Sequence, residues 1–198
     1  SISHQRLSEA LAEEAVLAHP PPKVAGALRL EGKPALEKSA SFAKGFLEVQ
    51  DVASQAVAAL LAPRRNQTIV DFCAGAGGKT LALAIAMRNT GQVYACDNNS
   101  ARLARLKPRL QRAGLSNVQP FAIDSEADPK LSRLDSKADA VLVDSPCSGF
   151  GTLRRNPDLK WRFKSDDLDR LVVQQASILK AASRLVRPGG WLVYATCS

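Results

Sequence analysis

Val141-Leu142-Val143-Asp144-Ser145-Pro146-Cys147-Ser148-Gly149 runs an apolar stretch into a carboxylate, a proline and a thiol. Tyr194-Ala195-Thr196-Cys197-Ser198 ends another apolar stretch on a second thiol. A free cysteine is commonly a small buried packing residue, and that reading suits Cys73 and Cys96. Cys147 and Cys197 sit instead at strand ends, in company with Asp144, Pro146 and Gly149, where side chains face ligands. Turns that hold an exocyclic amino group for methylation carry Asp or Asn, two prolines and an aromatic; a cysteine here points to attack at carbon. Carbon 5 of cytosine is a poor nucleophile, but a thiolate added at carbon 6 turns the ring into an enamine whose carbon 5 can accept a methyl group. The carbon 5 proton must then leave so that the thiol is expelled, which requires a thiolate, an acid or donor near ring nitrogen 3, and a proton relay. Cys197, Cys147 and Asp144 are the candidates for that chemistry, and position alone does not choose the attacking thiol.

The second chemical feature is the turn Asp71-Phe72-Cys73-Ala74-Gly75-Ala76-Gly77-Gly78-Lys79-Thr80. Gly78-Lys79-Thr80 imitates the end of a phosphate loop, but the glycine needed five positions earlier is Cys73. A dinucleotide fingerprint fails as well, because its last glycine is Thr80. Strand, acid, small residues, glycines and helix remain. That order lets backbone approach a nucleoside without phosphates, such as S-adenosylmethionine. Cys73, Ala74, Gly75, Ala76, Gly77, Gly78 and Lys79 are the candidate cradle, with Asp97 for the ribose hydroxyls and Asp124 for the adenine edge. Four acids, Asp71, Asp97, Asp124 and Asp144, close four consecutive strands and argue together for one cofactor crevice.

The third feature is a cationic loop. Arg154, Arg155, Lys160 and Arg162 surround Trp161, with Lys164 just beyond. Cations on phosphates and a base stacked on Trp161 are what a flipped-out target base requires. A formal charge of +8 and a pI near 9.6 suit the same polyanionic partner.

These features need a scaffold. With 45% hydrophobic and 23% charged residues, the 198-residue chain can bury a core and is not compositionally disordered. No apolar run is long enough for a membrane-spanning helix, and Ser1 to Ala10 lacks the basic-then-apolar form of a secretory signal. Widely spaced cysteines with no Cys-x-x-Cys, and His4 and His19 far from them, argue against a metal site. Free thiols then imply a reducing compartment, so a cytoplasmic location is expected. The spacing predicts a helix over 3–18, built on Leu7, Leu11, Ala15 and Ala18 and stopped by Pro20-Pro21-Pro22, then a short strand over 24–31. Asp51 caps a helix reaching Leu61. Strands over 68–72, 92–96, 117–123, 138–143 and 191–195 alternate with helices over 80–87, 100–113 and 166–186, the last ended by Pro188-Gly189-Gly190. This is an α/β protein with a mostly parallel sheet covered by helices on both faces. Residues 1–45 read as an appended helical segment, or the end of a preceding RNA-binding domain, and 46–198 as the catalytic domain.

Together these stretches resemble the Sun/Fmu-type RNA cytosine-5 methyltransferase family. The matching residues are Glu48-Val49-Gln50-Asp51-Val52-Ala53-Ser54-Gln55, Asp71 to Thr80, Asp97, Asp144 to Gly151, Arg154-Arg155-Asn156-Pro157, and Arg187-Pro188-Gly189-Gly190 through Thr196-Cys197-Ser198. The resemblance implies a Rossmann-like class I methyltransferase fold and S-adenosylmethionine held by 73–79, Asp97, Asp124 and Asp144. It implies that Cys197 attacks cytosine while Cys147 assists proton removal or product release. It implies an RNA substrate, ribosomal RNA ahead of transfer RNA, and no membrane or metal; a monomer is expected. Ala76 departs from the family's usual proline. Family members also continue past the position of Ser198 with further strands, so the chain is expected to be a truncated core. The rival expectation is a catalytically silent RNA-binding module with the same fold.

Overall fold

The computed structural model describes residues 3–20, 24 and 26–198. Helix α1 (His4–Glu13) is capped by the Ser3 hydroxyl and buries Leu7 and Leu11. It stops five residues before the expected end of the apolar spacing, because Ala15 takes a left-handed conformation (φ 59°) and the Val16 N–H turns back to the Leu11 carbonyl at 2.8 Å. Val16 rather than Ala15 is therefore the next core residue, packed with Leu7, Leu11 and Leu36. Ala18 belongs to β1 (Ala18–His19), which pairs antiparallel with β2 (Arg29–Leu30), a shorter strand than expected. The Pro21-Pro22 part of the expected helix stop, and part of the expected 24–31 strand, lie outside the described residues. Helix α2 (Ala40–Ala43) and α3 (Val52–Leu60) follow, α3 capped by the Asp51 carboxylate accepting from the Ala53 N–H at 2.8 Å.

The main sheet consists of β3 (Thr68–Asp71), β4 (Gln92–Asp97), β5 (Val118–Ala122), β6 (Ala138–Asp144) and β7 (Val186–Ala195), in the order β5-β4-β3-β6-β7, every pair parallel. Alternation along the strands sorts side chains to two faces. Ile69, Val93, Ala140 and Leu142 pack with Ala58 and Leu61 of the α3 region and with Leu83 and Ala84 of α4 (Gly78–Ala86). Val70, Cys96, Val141 and Val143 pack on the other face with Ile178, Ala182 and Leu185 of α8 (Ser165–Leu185). Helices cover both faces, as the alternation of elements requires.

Two local departures have plain causes. The expected single helix over 100–113 is two, α5 (Ser100–Ala104) and α6 (Leu106–Ala113). Pro108 has no N–H to return to the Ala104 carbonyl, and its ring crowds that turn. Pro188-Gly189-Gly190, expected to end the long helix, lies inside β7, where the register with β6 shifts between Ala138 and Ala140. β7 is an edge of this sheet, and an edge irregularity tolerates a proline that a central strand would reject. The short α7 (Leu159–Arg162) sits in the loop between β6 and α8.

Candidate active site

β6 and β7 deliver the two thiols. Asp144 pairs with Ala195 at the end of the ladder, and the Ser145 N–H donates to the Ala195 carbonyl at 2.9 Å. The chains leave the sheet side by side, and Cys147 Sγ and Cys197 Sγ come to 3.1 Å. The Cys197 N–H also donates to Cys147 Sγ at 3.2 Å, and the Gly151 N–H donates to the Cys197 carbonyl at 2.7 Å. From α8, Gln175 Nε2 donates to the Pro146 carbonyl at 2.7 Å and holds the Pro-Cys turn. Nothing in the sequence singles Gln175 out; only the packing of α8 places it there.

The thiols are electrostatically unequal. Burial raises Cys147, but hydrogen bonds from Cys197, from Ser198 and from the Cys197 and Gly149 N–H groups outweigh it, leaving the thiol below its usual range. Burial, the proton shared with Cys147, and the nearby Cys147 and Asp144 charges push Cys197 up to about 11. The pair titrates as a unit, and its first negative charge rests on Cys147. Cys73 behaves differently: burial among Asp71, Asp97 and Asp144 pushes it up to about 12, and Cys96 is buried and raised too. Both suit packing.

The glycine turn closes against Asp97. The Gly75 N–H donates to Asp97 Oδ2 at 2.7 Å and the Asn99 N–H donates to Oδ1 at 2.8 Å, fixing a buried carboxylate at the end of β4. Gly75 and Gly77 have φ of +56° and +85°; a Cβ on Gly77 would lie 2.2 Å from Leu106 Cδ1. Ala74 is buried beside them, and the Ala76 carbonyl accepts from Arg109, itself paired with Glu48 at 3.3 Å. Gly78 opens α4 with Gln50 Nε2 3.4 Å from where its Cβ would be. Lys79 Nζ donates to Asp144 Oδ2 at 2.6 Å and to Ser54 Oγ at 3.3 Å, joining the turn to the Pro-Cys segment. Glu48, Gln50 and Ser54 are visible in the matched stretch from Glu48 to Gln55, but their partners are not; Arg109 carries no signal.

Asp71 lies within the core. It is 1% exposed and accepts from Thr80 Oγ1 at 2.6 Å. Asp71 Oδ1 is buried without a hydrogen-bond partner. With Lys79 on Asp144 and Thr80 on Asp71, Gly-Lys-Thr is engaged in joining strand ends. Asp124 lies just beyond β5 with its carboxylate open to solvent, 3.9 Å from Lys130 Nζ.

Burial raises the Asp71 carboxyl to about 6, only partly offset by the Thr80 hydrogen bond. An unfolded aspartate titrates near 4. The folded state therefore holds this proton more tightly, so the stabilisation is fully present below pH 4 and is lost as pH rises through about 6. Asp71→Asn keeps an acceptor for Thr80 and lacks the ionisation. Relative to the parent, it should gain about 2–3 kcal/mol of stability between pH 4 and 7 in urea unfolding. Parallel profiles for the two proteins would assign the ionisation elsewhere.

The basic loop stands off the sheet. Arg154, Arg155, Lys160 and Arg162 are exposed and Trp161 is 81% exposed, with Lys160 Nζ 4.9 Å from its ring centroid. Arg162 pairs with Asp158 at 2.7 Å, and Arg155 with Asp51 at 2.5 Å. Phe150 and Phe163 pack edge to face at 4.9 Å and close the base of the loop. Between loop and α8 a cavity of about 330 Å³ is lined by Cys147, Leu159, Arg162, Phe163, Asp167, Arg170, Leu171 and Gln174. No described helix is long and apolar enough to cross a membrane.

The family model described as 16S rRNA methyltransferase RsmB/F matches residues 58–198. Ribosomal RNA small subunit methyltransferase B of Erwinia tasmaniensis is 40% identical over 177 residues, covering 89% of this chain and 41% of that protein. A methyltransferase homolog protein from Pyrococcus horikoshii superimposes with a TM-score of 0.84 at 30% identity, covering all of this chain and 62% of the other. NSun6 from the same organism, solved with SFG, gives 0.75 at 31%, covering 87% and 44%. The chain spans about two fifths of the length of the curated relatives it matches. Its Rossmann-like parallel sheet, its strand-end site and the match over most of its length agree: the chain belongs to the RsmB/F family of 16S rRNA methyltransferases.

Proposed function

We propose that residues 46–198 are the cofactor-binding and thiol-bearing core of an S-adenosylmethionine-dependent enzyme that methylates carbon 5 of cytosine in RNA, ribosomal RNA first. The observation that carries this reading is the 3.1 Å approach of Cys147 and Cys197 at adjacent strand ends. The residues present fit a nucleoside cofactor. Positive-φ Gly75 and Gly77 let the turn close against Arg102 and Leu106 with only small side chains between them, and Asp97 is fixed at the end of β4. Residues 73–79, Asp97, Asp124 and Asp144 would hold it, and when bound it supplies the methyl group.

The protein's own part is proton and thiol chemistry. Cys197 Sγ gives up its proton to water and adds to carbon 6 of cytosine as the thiolate. Asp144, held by Lys79 just before the Pro-Cys turn, is the acid–base group. After methyl transfer the Cys147 thiolate accepts the carbon 5 proton, and the carbon 6–sulfur bond breaks to release Cys197 as the thiolate. Of the loop cations, Arg154 and Lys160 meet phosphates while Trp161 stacks on a base. Residues 1–45, with their own small cluster around Leu11 and Leu36, form an appended segment that extends the RNA surface. Free thiols in this role belong in a reducing cytoplasm.

Calorimetry with S-adenosylmethionine, paired with tritium release from carbon-5-labelled RNA by the full-length protein, tests the reading. Binding with release supports it. Binding without release, in a longer chain as well, leaves a silent RNA-binding module.

A further inference from the structure

The turn that starts α3 touches both halves of the candidate site. Ser54 accepts from Lys79, whose ammonium also holds Asp144 just before the Pro-Cys turn. One turn earlier, Asp51 uses its two oxygens separately. Oδ1 accepts the Ala53 N–H at 2.8 Å as the helix cap, and Oδ2 pairs with Arg155 Nη2 at 2.5 Å across 104 residues of sequence. The neighbouring loop bonds stay local. Thr152 Oγ1 donates to Gly149, Asn156 Nδ2 to Thr152, the Trp161 N–H to Asp158, and Arg162 pairs with Asp158. Among the described residues, Arg155 supplies the side-chain hydrogen bond that reaches from the 152–162 turn to the cap of α3.

We propose that Asp51 and Arg155 are positioning residues: Arg155 anchors the basic loop to the cap of α3 rather than binding an RNA phosphate, which leaves Arg154 and Lys160 for that task. A guanidinium already committed to a carboxylate has lost much of its attraction for phosphate, because the local pair is neutral. The same pair sets where Trp161 and the cavity wall at Leu159 and Arg162 stand relative to Cys147. It acts on loop position and not on global stability, since ion pairs this exposed contribute little to folding. This assignment rests on the RNA methyltransferase reading only for its effect on turnover.

Asp51→Asn retains the capping oxygen and loses the charge, which separates the anchor from the cap. In the full-length protein, Asp51→Asn and Arg155→Gln should each raise the KM for RNA about fivefold with kcat and cofactor affinity unchanged. The double variant should be no worse than either single one. Amide exchange over 150–163 should accelerate equally in all three, with melting temperature unchanged. The salt slope of RNA binding should keep its parental value in Arg155→Gln, and fall by about 0.7 in Arg154→Gln, which removes a phosphate contact. Additive effects of the two variants, or a reduced slope in Arg155→Gln with Asp51→Asn behaving as the parent, would overturn the proposal. Loop exchange needs no RNA, so a chain without methyltransferase activity still decides the anchor.

Discussion

Cys197→Ala should lower methyl transfer by about four orders of magnitude or more while leaving S-adenosylmethionine binding intact. The expectation rests on chemistry that no neighbouring group can replace. Without a sulfur bonded to carbon 6, carbon 5 of cytosine does not become nucleophilic enough to take a methyl group. The glycine turn proposed for the cofactor is held by Asp97, Glu48 and Arg109, none of which touches Cys197 in the structure's hydrogen bonds. Cys147→Ala should differ in kind: the adduct still forms but is released slowly, so a protein–RNA species accumulates on denaturing gels. The electrostatics sharpen the contrast. With the first negative charge on Cys147, iodoacetamide near neutral pH should label Cys147 ahead of Cys197 in the free protein, since the thiolate is the reactive form. Removing Cys147 also removes a cause of the elevation of Cys197, so Cys197 in Cys147→Ala should alkylate at lower pH than in the parent. Full turnover by Cys197→Ala would end the covalent reading, and trapping of adduct by that variant would exchange the roles of the thiols.

Gly151→Ala should cost about a hundredfold in kcat for RNA with little change in cofactor affinity. A Cβ at this position would lie 2.6 Å from the Cys197 carbonyl oxygen and 3.1 Å from its carbon. Both are backbone atoms and cannot rotate aside. The Gly151 N–H donates to that same carbonyl at 2.7 Å, so the methyl group and the hydrogen bond compete for one place. The chain must part there by several tenths of an ångström, and the displacement falls on Cys197, the proposed nucleophile. Gly151 lies outside the positive-φ region, so the effect is contact and not backbone strain. Equilibrium cofactor binding and the melting temperature serve as controls for folding. Wild-type turnover by a folded Gly151→Ala would mean that the loop can withdraw from Cys197 without consequence.

Much of this architecture is legible residue by residue. The buried run from Ala138 to Val143 can only be a strand covered on both faces, and the turn from Asp71 to Thr80 reads as strand, glycines and helix. Those patterns are local, set by side-chain alternation and by where a Cβ is forbidden. The misreadings are local as well. Ala15 and Ala18 have the right spacing for α1, but a left-handed Ala15 passes the core position to Val16. Pro188-Gly189-Gly190 reads as a helix stop, yet it is an irregularity on a sheet edge, and an edge is defined only by which strand has no neighbour.

The opening pair of thiols shows the division most clearly. The sequence by itself determined that Cys147 and Cys197 end apolar strands, and that one follows a proline and an acid. Their 3.1 Å approach depends on β6 and β7 being neighbours in register, with Asp144 opposite Ala195. That pairing joins residues about fifty positions apart and is stabilised by sheet hydrogen bonds and by the apolar faces packed under α3, α4 and α8. The same holds for the charges. Asp71, Asp97 and Asp144 are all acids at strand ends, but tertiary contacts decide that Thr80 draws Asp71 inward, backbone N–H groups fix Asp97, and Lys79 takes Asp144. Residue type sets which chemistry is available; burial and the partner within hydrogen-bond reach decide which group carries the charge, because desolvation and pairing depend on neighbours that only folding supplies.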